Sequence, residues 1–98
     1  MIEVKPVTFD FGDLPINKSK KFSVEVTNTG VKKVIVDTKP YCSSCTTAKV
    51  VKHHLDPGES TLINLVFTPT KLGLNHKVVG VLENSNEKTK ISFSSNVI

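Results

Sequence analysis

The chain has 98 residues, of which 38% are hydrophobic and 22% charged, a composition typical of one folded domain and not of a disordered tail. All thirteen basic residues are lysines, and they outnumber nine acids to give a net charge of +4. No apolar run reaches the ~20 residues of a membrane span, and the first residues lack a signal peptide's apolar stretch. We therefore expect no membrane partner, and a chain that stays inside a cell unless an assembly carries it out.

Short segments rich in Val, Ile, Phe and Thr alternate with turn residues along the whole chain, and no segment has the 3.6-residue apolar period of a helix. In the first such segment Phe9 and Phe11 flank Asp10, and residues 21–27 then alternate strictly between apolar and polar side chains. This alternation is typical of a strand with one buried face. The patterns predict about seven strands, near residues 7–11, 21–28, 33–38, 46–52, 60–67, 77–84 and 89–97.

Strands of this number and length indicate an all-β fold, in which two antiparallel sheets enclose the inward faces as an immunoglobulin-like sandwich of about seven strands. The whole chain, residues 1–98, is expected to form a single immunoglobulin-like domain. The antibody pattern of two distant cysteines around a tryptophan is absent, since the chain has no tryptophan and its two cysteines are three positions apart. The connections at residues 39–46 and 69–77 are long enough to carry contacts.

Several motifs resemble those of known immunoglobulin-like domains. Residues 9–15 and 21–30 are similar to the opening of domains related to major sperm protein and to the ASPM–SPD-2–Hydin group. Residues 40–49, 56–59 and 66–69 narrow the resemblance to the bacterial and viral DUF1573 family. It extends over nearly the whole chain and suggests a phage-borne member. The resemblance implies the sandwich fold and the role of an accessory binding module, without an established activity.

Cys42 and Cys45 form the one cluster of potentially reactive side chains, in a connection between two predicted strands. Family members typically carry Cys-x-Cys-Thr here, one residue shorter, so no role for the pair follows from the resemblance. A zinc site needs about four ligands, and His53 and His54 could complete one, but adjacent histidines in a strand point to opposite faces. We therefore predict no metal and no cofactor, and two reduced, partly buried cysteines. A reversible local disulfide and a zinc site made by Cys42, Cys45, His53 and His54 are the alternatives.

The densest basic region contains Lys18, Lys20, Lys21, Lys32 and Lys33. Lysine supplies hydrated point charges and not the bidentate forks with which arginine reads phosphates and bases. We interpret these lysines as a solvated face that protects sheet edges from pairing, and nucleic acid is not an expected partner. Weak docking to nucleic acid or to an acidic surface is the alternative interpretation.

The sequence contains no Gly-rich phosphate loop, no nucleophile elbow and no recognisable serine–histidine–acid relation, so it does not predict an enzyme. Sandwich edges, in contrast, can recruit a strand from another protein. We predict a non-enzymatic structural or interaction module, namely a phage virion accessory protein that decorates the capsid or belongs to the tail. Its partners are then virion proteins or further copies of itself, and its location is the virion. The alternatives are a cytoplasmic, peptide-binding adaptor of major-sperm-protein type and a small Cys-x-x-Cys domain that responds to metal or redox state.

Overall fold

The structure is a computed structural model, and it describes residues 1–41 and 45–98. Two sheets face each other, a first sheet with strand order β1-β3-β7-β5 and a second sheet with strand order β2-β9-β8-β4-β6. The strands are β1 (Ile2–Lys5), β2 (Thr8–Leu14), β3 (Lys20–Asn28), β4 (Val34–Pro40), β5 (Thr46–Val50), β6 (His54–Leu55), β7 (Ser60–Phe67), β8 (Gly73–Glu83) and β9 (Asn86–Val97).

The predicted all-β, immunoglobulin-like sandwich is confirmed. Alternating side chains of the two sheets point into the space between them, because successive side chains of a strand lie on opposite faces. No helix in the described part of the chain is long and apolar enough to cross a membrane. The hydrophobic side chains that are less than 2% exposed are Phe67, Phe93, Leu55, Ile63, Leu65, Ile91, Val24, Val26, Val36, Val79 and Val81.

The strand inventory differs from the prediction in three respects. β1 and the two-residue β6 are additional strands, too short to show an apolar period. β8 begins at Gly73 and not near residue 77, because pairing with β9 extends it through Gly and Asn positions that in sequence indicate a turn. The sheets are also not wholly antiparallel, since β2 pairs in parallel with β9. The reason is that the chain leaves the first sheet after β1 and joins the second sheet as β2.

Five phenylalanine rings join the two sheets into one core. The Phe22 ring lies 4.8 Å from the Phe9 ring and 4.9 Å from the Phe11 ring. Phe93 lies 5.1 Å from both the Phe22 and the Phe67 rings, with edge-to-face geometry in each case. Phe67 and Phe93 are fully buried, whereas Phe9, Phe11 and Phe22 are only partly buried. Rings at these separations contribute about 0.5–1.5 kcal/mol per pair beyond their buried area.

Buried Asn28 fixes the loops at one end of the sandwich. Its side-chain amide donates hydrogen bonds to the carbonyls of Lys32 and Leu55, and its Oδ1 accepts one from the N–H of Gly30. Its backbone N–H donates to the Glu59 carbonyl, and its backbone carbonyl accepts from the Gly58 N–H, both in the turn before β7. A single asparagine thus bonds to groups of the β3–β4 connection, of β6 and of the β6–β7 connection, and joins the Asn-Thr-Gly turn to the Pro-Gly-Glu turn.

The core predicts a clear difference between buried and exposed substitutions. Phe93→Ala should lower the free energy of unfolding by about 3–5 kcal/mol, because it removes a fully buried ring that contacts rings of both sheets. Phe22→Ala should cost less, since that ring is only partly buried. Lys21→Ala, on the outer face beside Phe22, should fall within about 0.5 kcal/mol of the unmodified protein. Urea unfolding followed by circular dichroism measures all three, and equal losses would contradict the core assignment.

The turn before β7 predicts a pH dependence. Hydrogen bonds from Lys52 Nζ (2.8 Å) and from the Asp56 N–H (2.7 Å) lower the pKa of the Glu59 carboxyl below its ordinary value. A lowered folded-state pKa means that this stabilisation is present above the unfolded-state pKa and is lost as the pH falls through the folded-state pKa. Carbon NMR titration should report the low value, and Lys52→Gln should raise it. An unchanged Glu59 titration in that variant would contradict the pairing.

Candidate functional site

The described residues of the alternative zinc site do not converge. Cys45 is buried beside β5, and its carbonyl accepts a hydrogen bond from the Thr68 N–H beyond the end of β7. His53 and His54 lie near the start of β4, where His54 pairs with Ile35. Cys42 lies outside the described residues. Among the residues that the structure describes, no three His, Cys, Asp or Glu side chains could hold a metal ion together.

Cys45 takes part in a disulfide bond. The prediction of a reduced Cys45 is therefore wrong, and its sulfur is not available as a thiolate ligand or nucleophile in this state. The sequence left a disulfide open as an alternative, because cysteines three positions apart in a connection can meet the Cα separation of about 4.4–6.8 Å that the bond needs.

Tyr41 anchors the start of this connection to the outer face of the second sheet. Its N–H donates to the Val78 carbonyl, and its hydroxyl donates to both carboxylate oxygens of Glu87, at 2.9 and 2.8 Å. The Glu87 side chain crosses over Gly80, where any Cβ would collide with the carboxylate. Lys90 lies over the Tyr41 ring, with its Nζ 5.8 Å from the ring centre. The sequence gives no signal for this cluster, because its members meet only through strand pairing.

The outer edge of β4 is closed by side chains close to it. The backbone groups of Val36, Thr38 and Pro40 point away from β8, because Ile35 and Tyr41 bond to the β8 side. His53 occupies both backbone groups of Val36: its carbonyl accepts from the Val36 N–H, and its Nδ1–H donates to the Val36 carbonyl at 2.8 Å. Thr38 N–H donates to the side chain of Asp37. The residue at position 40 is proline, which has no N–H. A further strand therefore finds few free donors here.

The edges of β1 and β2 are also restricted. β1 has four residues and is followed directly by Pro6. In β2 the pairing with β9 shifts at a bulge between Asp10 and Asp13, where Gly12 has a φ of +65°. The Gly12 N–H donates to Asp10 Oδ1 at 3.0 Å. A short strand, a bulge and a side chain that occupies the edge donor are recognised means of preventing strand addition.

The first half of β3 has an open edge. β1 pairs only with residues 25–28 of β3 and leaves residues 20–24 without a neighbour on that side among the described residues. Thr29 bonds to β1 and Asn28 to the β7 side, so the odd-numbered residues face the β1 side. The backbone N–H and C=O groups of Lys21 and Ser23 therefore point outward. We call residues 20–24 the lower β3 edge.

The lower β3 edge is bordered by aromatic rings and lysines. Phe9 and Phe11 of β2 and Phe22 of β3 fill the seam between the two sheets at this point, and all three remain partly exposed. The ammonium group of Lys20 lies 5.6 Å from the centre of the Phe11 ring. Lys21 is exposed on the outer face.

Three other stretches lack a strand neighbour on one side among the described residues. Residues 86–91 of β9 precede the part of that strand that pairs with β2. In β5 the even-numbered residues, including Ala48, point their backbone groups away from β7, but β4 packs beside this strand. In β8 residues 73–77 extend beyond the end of β4, and the Leu74 side chain is 90% exposed.

The predicted basic region is divided in space. Lys18, Lys20 and Lys21 lie at the start of β3, whereas Lys32 and Lys33 follow its end. The eight residue-to-residue steps from Lys20 to Asn28 separate the two groups by roughly 26 Å at about 3.3 Å per residue. Lys33 pairs with Asp56 at 3.6 Å. These five lysines therefore do not form one continuous surface.

Comparison with known proteins identifies a family and a fold. A family model described as "Protein of unknown function (DUF1573)" matches residues 2–97. No curated protein is significantly similar in sequence to the chain. A protein of unknown function from Porphyromonas gingivalis W83 is similar in structure, with a TM-score of 0.79 and 17% identity. The alignment covers 97% of this chain but only 46% of that one.

Two further solved structures have the same fold at low identity. PapD-like domain 7 of human CEP192 has a TM-score of 0.79 and 11% identity, with 99% of this chain and 84% of that one aligned. WR4, a major-sperm-protein family member from Caenorhabditis elegans, has a TM-score of 0.67 and 12% identity, with 100% and 98% aligned. At these identities the likeness shows a sandwich fold of PapD-like and major-sperm-protein type and no more.

The disulfide at Cys45 predicts a redox-dependent stability. A reductant should lower the free energy of unfolding by about 2 kcal/mol, because it removes a covalent constraint on the unfolded chain. Urea unfolding with and without reductant measures the difference. Cys45→Ser is the control, and its stability should not respond to reductant. Free thiols in the unreduced, folded protein would contradict the bond.

Proposed function

The chain belongs to the DUF1573 family, which is described as being of unknown function, and we propose from the geometry of its edges that it is a non-enzymatic module that binds another protein by β-strand addition. In this mode an extended segment of the partner lies beside an open sheet edge. Main-chain hydrogen bonds supply affinity, and pockets for alternate side chains supply specificity.

Unequal protection of the strand edges is the observation that carries this proposal. The β4 edge is closed by His53, Asp37 and a proline, and the β2 edge by a bulge and Asp10. The lower β3 edge has no bulge, proline or bonded side chain of this kind among the described residues, and only its lysines restrict pairing there. A sandwich that closes some edges with its own side chains and leaves an aromatic-lined edge open has the form expected of a protein that accepts a strand from a partner there.

Side-chain chemistry on the outer faces supports binding in preference to catalysis. Ser94 pairs with Asp10 on one side and with His76 on the other, which brings a serine, a histidine and an acid into one row of the second sheet. In a catalytic triad the histidine stands between the serine and the acid, because it takes the proton of the one and is oriented by the other. Here the serine is central, so the row cannot act in that way.

The location of the domain and the identity of its partner are proposed from the sequence resemblance alone. On that basis the domain is an accessory subunit of a phage virion, on the capsid or the tail, whose partner is another virion protein or a second copy. The alternative is a cytoplasmic, peptide-binding adaptor of major-sperm-protein type. Mass spectrometry of purified particles and of the soluble cell fraction distinguishes them, because a virion subunit must be recovered with the particles in constant proportion.

Protein binding predicts a weak dependence on salt. Exposed ion pairs contribute about 0–1 kcal/mol each, so raising the salt concentration should weaken binding of a protein partner by less than about tenfold. Binding to duplex DNA would instead fall steeply with log salt, because each neutralised phosphate releases counterions. The immobilised domain should be titrated with duplex DNA and with extract of the producing cells at several salt concentrations. Steeply salt-dependent DNA binding without a retained protein would contradict the proposed function.

A further inference from the structure

The lower β3 edge carries an inference about the chemistry of the partner, which rests on the proposed function. We propose that this edge binds an extended segment with a large apolar side chain next to acidic residues. The segment lies beside residues 20–24 of β3, in the position that β1 leaves vacant because the chain crosses to the second sheet. Three features support this assignment: the outward backbone groups, the exposed part of the aromatic seam and the unneutralised lysines.

Backbone geometry fixes which partner residue faces the core. Lys21 and Ser23 offer two N–H and two C=O groups on the open side, as derived from the bonds of Thr29 and Asn28. The partner residues that pair with these groups have side chains on the outer face, because directly opposite residues in a sheet share a face. The partner residue between them, opposite Phe22, therefore points into the seam.

An apolar side chain at that central position meets aromatic surface. Phe9, Phe11 and Phe22 lie within 4.8–5.6 Å of one another, centre to centre, and remain partly exposed. A side chain laid against them removes apolar area from water on both partners, at about 25 cal/mol per Å². The β5 edge offers no comparable surface, because β4 packs beside it and the core-facing side chain at its centre is the small Ala48.

Lysines near the seam determine the charge of the segment. None of the ion pairs formed among the described residues includes Lys18, Lys20 or Lys21, whereas Lys5 and Lys52 each pair with a carboxylate at 2.8 Å. Lys21 extends from the outer face of β3, beside the partner residue that would pair with it. Acidic residues in the segment would neutralise these charges, and basic residues would add to the repulsion.

Edge-specific proline variants test the position of binding. The N–H groups of Ser23, Ala48 and Leu74 belong to no strand ladder among the described residues, so proline there removes no ladder bond but blocks an added strand. The probe is a fluorescent nine-residue peptide with a central phenylalanine that alternates valine with glutamate. In fluorescence anisotropy Ser23→Pro should weaken its binding by about tenfold or more, whereas Ala48→Pro and Leu74→Pro should leave it within about twofold. Thermal unfolding confirms that each variant is folded.

Charge-reversal variants test the chemistry without altering the edge. Lys18→Glu with Lys21→Glu should abolish the preference for the glutamate peptide over a matched lysine peptide. Lys32→Glu with Lys33→Glu changes the net charge equally, at the distant end of β3, and should preserve that preference. Equal effects of the two pairs would show that only net charge matters and would overturn the assignment of the acidic partner to this edge.

The remaining outcomes separate this inference from the proposed function. Loss of binding with Ala48→Pro or Leu74→Pro, but not with Ser23→Pro, overturns the choice of edge and leaves strand addition intact. Failure of the unmodified domain to bind the glutamate peptide overturns the inferred partner chemistry. The proposed function is then tested separately, by whether the immobilised domain retains a protein from cell extract. Dimers in sedimentation that Ser23→Pro dissociates would identify the occupant as a second copy and overturn the inference.

Discussion

The division of the first strand between the two sheets is the constraint on which the rest of the structure depends. β1 pairs with the last residues of β3, and beyond Pro6 the chain joins the second sheet as β2, parallel to β9. The two sheets are thereby joined along one side of the sandwich, and Phe9 and Phe11 are carried into the space between them. The first half of β3 consequently loses the neighbour that a continuous first strand would have provided. The closed core and the open edge thus have the same origin.

Some strand edges elsewhere are protected by residues very near to them in sequence, whereas the protection of Val36 by His53 joins residues 17 positions apart. Asp37 acts on its neighbour Thr38, and Asp10 acts on Gly12 two positions later. The lower β3 edge carries lysines instead. Lysines discourage an edge from pairing with a second copy, because two copies would bring like charges together, yet they favour an acidic strand. The same side chains can therefore exclude one partner and select another.

The sequence is most informative where one face of a strand is buried. Strict alternation predicts β3 and β7 correctly, because a shift of one residue would expose every apolar side chain. The sequence is least informative where pairing with another strand determines the backbone conformation. Gly73 and Asn75 are residues typical of a turn, but they belong to a strand because β9 pairs with them. The candidate site at the lower β3 edge is likewise determined by strand pairing and not by local sequence. The alternation identifies Phe9, Phe11 and Phe22 as inward residues, but that their seam is open depends on where β1 ends.

Two further features could not be predicted for related reasons. Lys21 and Lys32 are close in sequence, but a strand separates them in space, so a local count of charge overstates the basic surface. The Cys-x-x-Cys spacing that includes Cys45 occurs in disulfides, in metal sites and in packed thiols. Which of these forms depends on the tertiary geometry, and the spacing does not specify that geometry.

The parallel pairing of β2 with β9 has a mechanical consequence. β1 and β2 are both entered from the end of the sandwich opposite to the one where β9 finishes, near Leu14 and Val97. A force that draws the two ends of the chain apart therefore pulls β2 and β9 past each other along their length. In this shear geometry the hydrogen bonds between the strands on each side of the bulge carry the load together and must break together. A hairpin pulled open from its free end would instead lose its bonds one pair at a time. The domain is thus built to resist tension along its long axis far better than peeling across it.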